Sequence, residues 1–268
     1  HGEYRRQRQM CIRDRCQTEK IAWIRRLGHA LIKRVEVKVG GMYIDKHYGT
    51  WLDIWWELTH SQSSERGYRA LIGDVDELTT LRGKELFDNS SEVLLPEYTL
   101  YIPFQFWFNR HYGLALPLIA LQYHEVRIEI DLEEASKLIV YTGSQAPNLG
   151  QLTFKDAGII VDYVYLESGE RRKYAQLGHE YLIEQLQYRE ESITFNGGSS
   201  SNNHKVRLDF NHPTKELVWA LRVGAFSGAA NSSTTSGCRG RFLTYTHDDD
   251  LWLTCLLYTS PSPRDMSA

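Results

Sequence analysis

Residues 104–126 read FQFWFNRHYGLALPLIALQYHEV, an apolar and aromatic run with one polar knot, Asn109 to His111. Its reading decides the fold class. A membrane helix needs roughly 20 uninterrupted apolar residues. Here Pro103, Asn109, Arg110, Pro117 and Gln122 break the run, so no transmembrane segment is predicted. Phe104, Phe106 and Phe108 alternate with Gln105 and Trp107, which on a strand sends Phe to one face and Trp to the other. The stretch therefore predicts two strands buried on both faces, FQFWFNR and LALPLIALQYHEV, with Asn109 to Gly113 as the turn or crossover between them.

Period two recurs outward from that stretch. VEVKV alternates Val35, Val37 and Val39 against Glu36 and Lys38 and then meets Gly40-Gly41, the punctuation of a hairpin. VRIEI (Val126, Ile128, Ile130) and VRLDF (Val206, Leu208, Phe210) repeat the pattern. GIIVDYVYL (158–166) and ELVWALRV (216–223) predict strands buried on both faces. Helix is the minority. WLDIWWELTH predicts a turn or two with Trp51, Ile54, Trp55 and Leu58 on one face. SGERRKYAQLG (168–178) predicts a short connector helix, capped by Ser168 and stopped at Gly178. HEYLIEQLQY (179–188) is open between helix and strand. Polar small-residue stretches at 196–203 and 227–237 predict surface loops. Many short strands joined by long polar loops point to β-sandwich architecture.

The chain has 268 residues, 42% of them hydrophobic, enough for one large domain or two of jelly-roll size. Its two ends have a separate reading. RRQRQMCIRDR (5–15) and CLLYTSPSPRD (255–265) reverse-translate into sequences resembling the two ends of a transposon-end sequencing adaptor. Residues 1–15 and 255–268 are accordingly expected to be assembly artefacts and are excluded from fold reasoning. The native portion then runs from Cys16 to Thr254 as a fragment. Setting the ends aside removes Arg5, Arg6, Arg8, Arg13, Arg15 and Arg264 and leaves a chain more acidic than its formal net charge of −3. An acidic chain repels phosphate backbones, so direct nucleic-acid binding is not expected. Of the four cysteines only Cys16 and Cys238 remain, too few for a disulfide framework or a zinc knuckle.

The sequence carries no G-x-S-x-G elbow, no H-E-x-x-H, no paired C-x-x-C and no phosphate-cradling glycine loop. THDDD (246–250) places several candidate metal ligands in a row, but adjacent side chains do not converge on one ion, and a solvated acidic loop is the better reading. His124 and Glu125 are neighbours on a predicted strand and point to opposite faces, so His124 is read as structural. Asp45 and Asp53 flank an aromatic cluster containing His47, Tyr48 and Trp51, and capping or turn roles are preferred over a carboxylate dyad. Asn89 and Asn231 each open an NSS triplet, read as ordinary polar loop. Trp51, Trp55 and Trp56 offer either a sugar-stacking platform or core and interface packing, the commoner use. No catalytic, cofactor-binding or metal-binding residue is assigned, and no enzymatic activity is expected.

Four blocks, taken in order, carry a family resemblance: VEVKVGGMYIDKHYGTWLDIWWELT, LYIPFQFWFNRHYGLALPLIALQYHEVRIEI, DYVYLESGERRKYAQLGHEYLIEQLQ and VRLDFNHPTKELVW. Together they resemble the major capsid proteins of large eukaryotic double-stranded DNA viruses of the chlorella-virus, mimivirus and iridovirus type, over most of residues 31–223. The resemblance implies an all-β double jelly roll, tandem eight-stranded β-sandwiches, present as an incomplete fragment. Residues 16–166 would be most of the N-terminal jelly roll, 167–178 the connector helix and 179–254 the start of the C-terminal one, with HEYLIEQLQY its first strand.

It further implies a structural protein that forms homotrimers, each a pseudo-hexagonal capsomer, which tile an icosahedral shell with minor capsid proteins as partners. The location implied is the virion, assembled in a cytoplasmic virus factory of the host cell. The competing reading is a carbohydrate-binding β-sandwich resting on the Trp-rich stretch, and a weaker one is a cupin-like metal enzyme. Two departures stand out. His111-Tyr112-Gly113 occupies the place of an expected Asn-Pro-Gly, and Trp56 stands where a polar residue is more usual.

Overall fold

The computed structural model of the chain describes residues 20–83, 95–141, 152–191 and 205–221, with the single positions 149 and 243. The expected artefact ends, the THDDD loop, the two NSS triplets, Cys16 and Cys238 lie outside the described residues.

The Gly40-Gly41 signal forms the predicted hairpin. Both glycines take positive φ, 58° and 82°, the combination a two-residue primed turn requires. They join β2 (Ile32–Val39) to β3 (Met42–His47). Strand β5 (Val126–Leu132) pairs antiparallel on the other side of β2, giving a sheet of order β3-β2-β5. Val35 and Val37 are wholly buried on one face and pack with Ile32 and Phe106. The opposite face is a lattice of charge. Arg34, Glu36 and Lys38 of β2 meet Lys46 of β3 and Glu129 and Asp131 of β5. The register places Glu36 opposite Glu129 and Lys38 opposite Arg127, pairs that repel. Attraction runs on the diagonal, with Lys38 Nζ 2.5 Å from Glu129 Oε2.

A second sheet of order β4-β1-β6 contains β1 (Lys20–Trp23), β4 (Arg82–Gly83) and β6 (Ile139–Tyr141). Its core joins Ile24, Leu27, Ala30, Leu78, Leu138 and Val140. Between the sheets the chain builds four helices: α1 (Leu27–Leu31), α2 (Gly49–Thr59), α3 (Glu65–Leu71) and α4 (Asp76–Thr79). Helix α2 is longer than the predicted turn or two, and its buried side differs from the one read from spacing. Leu52 and Asp53 are buried, whereas Leu58 is 58% exposed. The buried Asp53 overrides the apolar stripe because Arg26, just before α1, and His29 within it supply its hydrogen bonds, as described below.

The opening stretch departs from the two-strand expectation. Residues 101–106 form no strand, Trp107–Arg110 is a helical turn, α5, and Tyr112–Leu114 is a 3-10 turn. Residues 118–123 are turns. Pro117 helps to explain this: it has no N–H for a ladder and favours turn geometry, and Ala120 and Leu121 donate their N–H groups to its carbonyl oxygen. The polar knot is held by its own side chain. Gly113 N–H donates to His111 Nδ1 at 2.9 Å, so a side-chain bond stabilises the turn that a proline ring would pre-set. Phe106 still reaches the core at 0% exposure, and Trp107 is 6% exposed.

Helix α6 (Ser168–Gln176) forms where the connector was predicted, with Glu167 rather than Ser168 at the N-cap and no buried residue. Strands were expected at 158–166, 206–210 and 216–223, but residues 158–166, 206–210 and 216–221 form no strand, and neither does the segment 179–188. They are also exposed rather than buried on both faces: Ile160 is 81% and Tyr165 88% exposed. Strand backbone is completed only by a neighbouring strand's N–H and C=O groups. Residues 179–188, open between helix and strand in the sequence, form neither.

Candidate functional site

Arg26 precedes α1 in the left-handed region, φ 53°, which costs a non-glycine residue roughly 1–2 kcal/mol. A wholly buried carboxylate holds it there. Arg26 Nη1 donates to both oxygens of Asp53, at 3.0 and 3.1 Å, and its other terminal nitrogen pairs with Glu57. His29 Nδ1 lies 3.1 Å from Asp53 Oδ1, and His29 Nε2 lies 2.8 Å from the Tyr68 hydroxyl. A neutral imidazole satisfies both contacts, with Nδ1–H donating to the carboxylate and Nε2 accepting from the phenol. Burial, then the charge of Asp53, pushes the Tyr68 hydroxyl pKa well above its usual value. These residue types resemble a proton relay, but His29 and Asp53 are at 0% exposure and Tyr68 at 9%. They are closed off from solvent, and the cluster ties α1, α2 and α3 together.

Asp45 organises a second buried cluster. The register of β3 on β2 shifts between Val37 and Lys38, pairing them with Asp45 and Tyr43 and leaving Ile44 as an extra residue. Such a bulge re-aims neighbouring side chains. Asp45 is 1% exposed, and its Oδ1 accepts from Lys46 N–H at 2.8 Å and Leu186 N–H at 3.2 Å. His47 Nε2 stands 3.2 Å from Asp45 Oδ2 without hydrogen-bond geometry, and the His47 ring stacks on Phe106 at 4.4 Å.

Asp45 and Asp53 thus lie in two separate clusters. They are neither a dyad nor the caps and turn formers the sequence suggested. The decisive partners, Arg26 and His29 for Asp53 and Leu186 for Asp45, stand 27, 24 and 141 residues away, beyond the reach of local spacing rules.

The tryptophans are spent on neighbouring rings and cations. Trp56 stacks on Tyr68 with centroids 3.6 Å apart and planes 7° from parallel, and on His60 at 4.8 Å, which gives the unusual Trp at this position a packing role. Trp51 lies 5.5 Å from Trp55, and the Arg110 guanidinium covers Trp55 at 4.1 Å. His124 lies in an exposed turn against Gly40, and Glu125 pairs with Arg127. Among the described residues no group of three or more His, Cys, Asp or Glu side chains is placed to hold a metal ion, and no helix is long and apolar enough to cross a membrane.

An open groove of about 500 Å3 runs between Tyr43, Lys46 and Tyr48 on one side and Leu186, Tyr188 and Phe210 on the other. Desolvation, then the charge of Asp45, pushes the Tyr43 hydroxyl up to about 12. The groove's charges are compensated within the chain: Lys46 pairs with Glu36 and Arg189 with Asp209. What the described surface offers in quantity is apolar area on segments outside helix and strand, including Ile160, Val164, Tyr165 and Leu182, each at least 70% exposed. Such area suits association more than pocket chemistry.

Two protein families match the sequence in succession: major capsid protein N-terminus over residues 8–167, and large eukaryotic DNA virus major capsid protein over residues 170–250. The chain is 42% identical over 226 residues to capsid protein 1 of Acanthamoeba polyphaga mimivirus, covering 84% of this chain and 36% of that protein. It is 42% identical over 234 residues to the major capsid protein of Phaeocystis pouchetii virus, covering 80% and 44%. With the major capsid protein of Paramecium bursaria Chlorella virus 1 the identity is 36% over 205 residues, covering 75% and 43%. A quasi-atomic structure of that virus's capsid aligns with 63% of this chain and 39% of the solved one, at 32% identity and a TM-score of 0.43. The chain spans less than half the length of these relatives.

Proposed function

Because the chain belongs to the family of large eukaryotic DNA virus major capsid proteins, we propose that it works as a structural capsid subunit, through association with copies of itself and without a catalytic step. The fold class follows from membership: an all-β double jelly roll, of which this chain represents part. The observation that carries the reading is the order of the two family matches. One ends at residue 167 and the next begins at 170, and the exposed helix α6 opens between them at Ser168.

On this reading residues 16–166 belong to the first jelly roll, 167–178 connect, and 179–254 begin the second. Three copies then make a capsomer of pseudo-hexagonal outline, and capsomers tile the virion with minor capsid proteins between them, after assembly in a cytoplasmic factory. The exposed apolar side chains of residues 158–166 and 182 support the reading, since exposed apolar area of this kind suits association. Light scattering and negative-stain imaging of the purified protein test it. Trimers that form hexagonal arrays are the expected result. A monodisperse monomer that binds glycans overturns the proposal in favour of a carbohydrate-binding sandwich.

A further inference from the structure

Residues 181–188 follow α6 and make no ladder, yet Tyr181, Glu184, Gln185, Leu186 and Tyr188 grip the first half of the chain. The Tyr181 hydroxyl donates to the Ala115 carbonyl at 3.2 Å, and its ring lies 5.8 Å from Trp107. Glu184 Oε2 accepts from Arg110 Nη1 at 2.9 Å. The Gln185 amide donates to the carbonyl of Ile44, the residue left over by the β3 bulge. The Leu186 N–H donates to buried Asp45, and the Tyr188 ring lies 4.8 Å from Tyr48.

The same segment holds the chain that follows it. Gln187 exchanges two hydrogen bonds with the Asn211 backbone, at 2.8 and 3.0 Å, Lys215 pairs with Glu184, and Arg189, just past the segment, pairs with Asp209.

The geometry points to residues 181–188 as a strap that fixes residues 205–221 against the β3 edge and the 107–115 turn, with the Ile44 bulge and Asp45 as its socket. This device lies inside one subunit and stands whether or not subunits associate. A bulge that exists to receive the strap explains two observations together: why Ile44 sits outside the ladder, and why a carboxylate is buried at position 45 with an amide from residue 186 on it. Glu184 is the second anchor, because it is held from both sides.

Hydrogen exchange on the full chain tests the strap, with β2 amides reporting the integrity of the fold. The Leu186 amide is expected to exchange at least about tenfold more slowly than the same amide in an unstructured peptide. Arg110→Gln and Glu184→Gln are each expected to speed it several-fold, and the double variant no further than Glu184→Gln alone, with β2 protection unchanged. If a variant loses β2 protection, Tyr181→Phe decides, since it removes only the bond to Ala115 and is expected to speed exchange at 181–186. Peptide-like exchange of Leu186 in the parent chain, or rates that no variant moves, overturns the inference.

Discussion

His29 Nδ1 and Asp53 Oδ1 stand 3.1 Å apart with both side chains wholly removed from solvent, and the same carboxylate accepts two hydrogen bonds from Arg26. A buried ion pair is not in itself strongly stabilising, but breaking one side of it is costly, because the abandoned charge stays buried. Asp53→Ala is therefore expected to destabilise the fold by about 3–5 kcal/mol. Asp53→Asn keeps an acceptor for Arg26 and is expected to cost less. Urea denaturation of the two variants, ranked against the parent chain, checks both the size and the order.

Gly49 opens α2 where the backbone of α1 passes closest. A Cβ there would fall on the carbonyl oxygens of His29 and Ile32, well inside contact distance. Backbone oxygens do not rotate away as side chains do, so Gly49→Ala must displace α2 from α1. The expected cost is about 1–3 kcal/mol, read as a lower denaturation midpoint. Gly67→Ala is the control: its Cβ would meet nothing within 4 Å, and it is expected to be neutral or slightly stabilising.

How much of this was legible beforehand depended on distance along the chain. The β2–β3 hairpin announced itself because two adjacent glycines and alternating valines are local signals. The signal for helix α6 was equally local. The burial of Asp53 was not, since the sequence around Trp51 and Trp55 reads as an apolar face and the residues that draw a carboxylate inward lie on another helix. The opening stretch misled for a related reason. Its alternation of Phe and Trp is real, and Phe106 does reach the core, but Pro117 and the His111 to Gly113 turn bend the chain where a strand pair was expected.

The acid sensitivity of the β3-β2-β5 sheet follows from Glu36. Its hydrogen bond with Lys46, aided by the nearby charges of Arg34 and Lys38, holds its carboxyl below the ordinary value of 4.5. A depressed carboxylate contributes stability that is present above the unfolded-state value and is lost as pH falls through the lower folded-state value. Thermal melts taken downward from pH 6 are thus expected to steepen below about pH 4.5. Glu36→Gln is expected to flatten that part of the profile. A variant that keeps the full acid dependence assigns it to other carboxylates.

Helix α6 carries Arg171, Arg172 and Lys173 on a segment with no buried residue. Proteases act on backbone that opens locally, and local opening is easiest where few apolar contacts are lost. Arg25 and Arg69 also offer trypsin sites, but each is tied to Asp74, and Arg26 is tied to Asp53. Brief trypsin treatment is therefore expected to cut first between residues 171 and 174, before the arginines of the first half, and mass spectrometry of the earliest products locates the cut. The strap sharpens the expectation. If residues 181–188 hold the two parts together, the nicked chain is expected to stay associated under native conditions, and the pieces to separate only in denaturant. Pieces that part at once on a native column would mean that α6, rather than the contacts of Glu184 and Leu186, carries the connection.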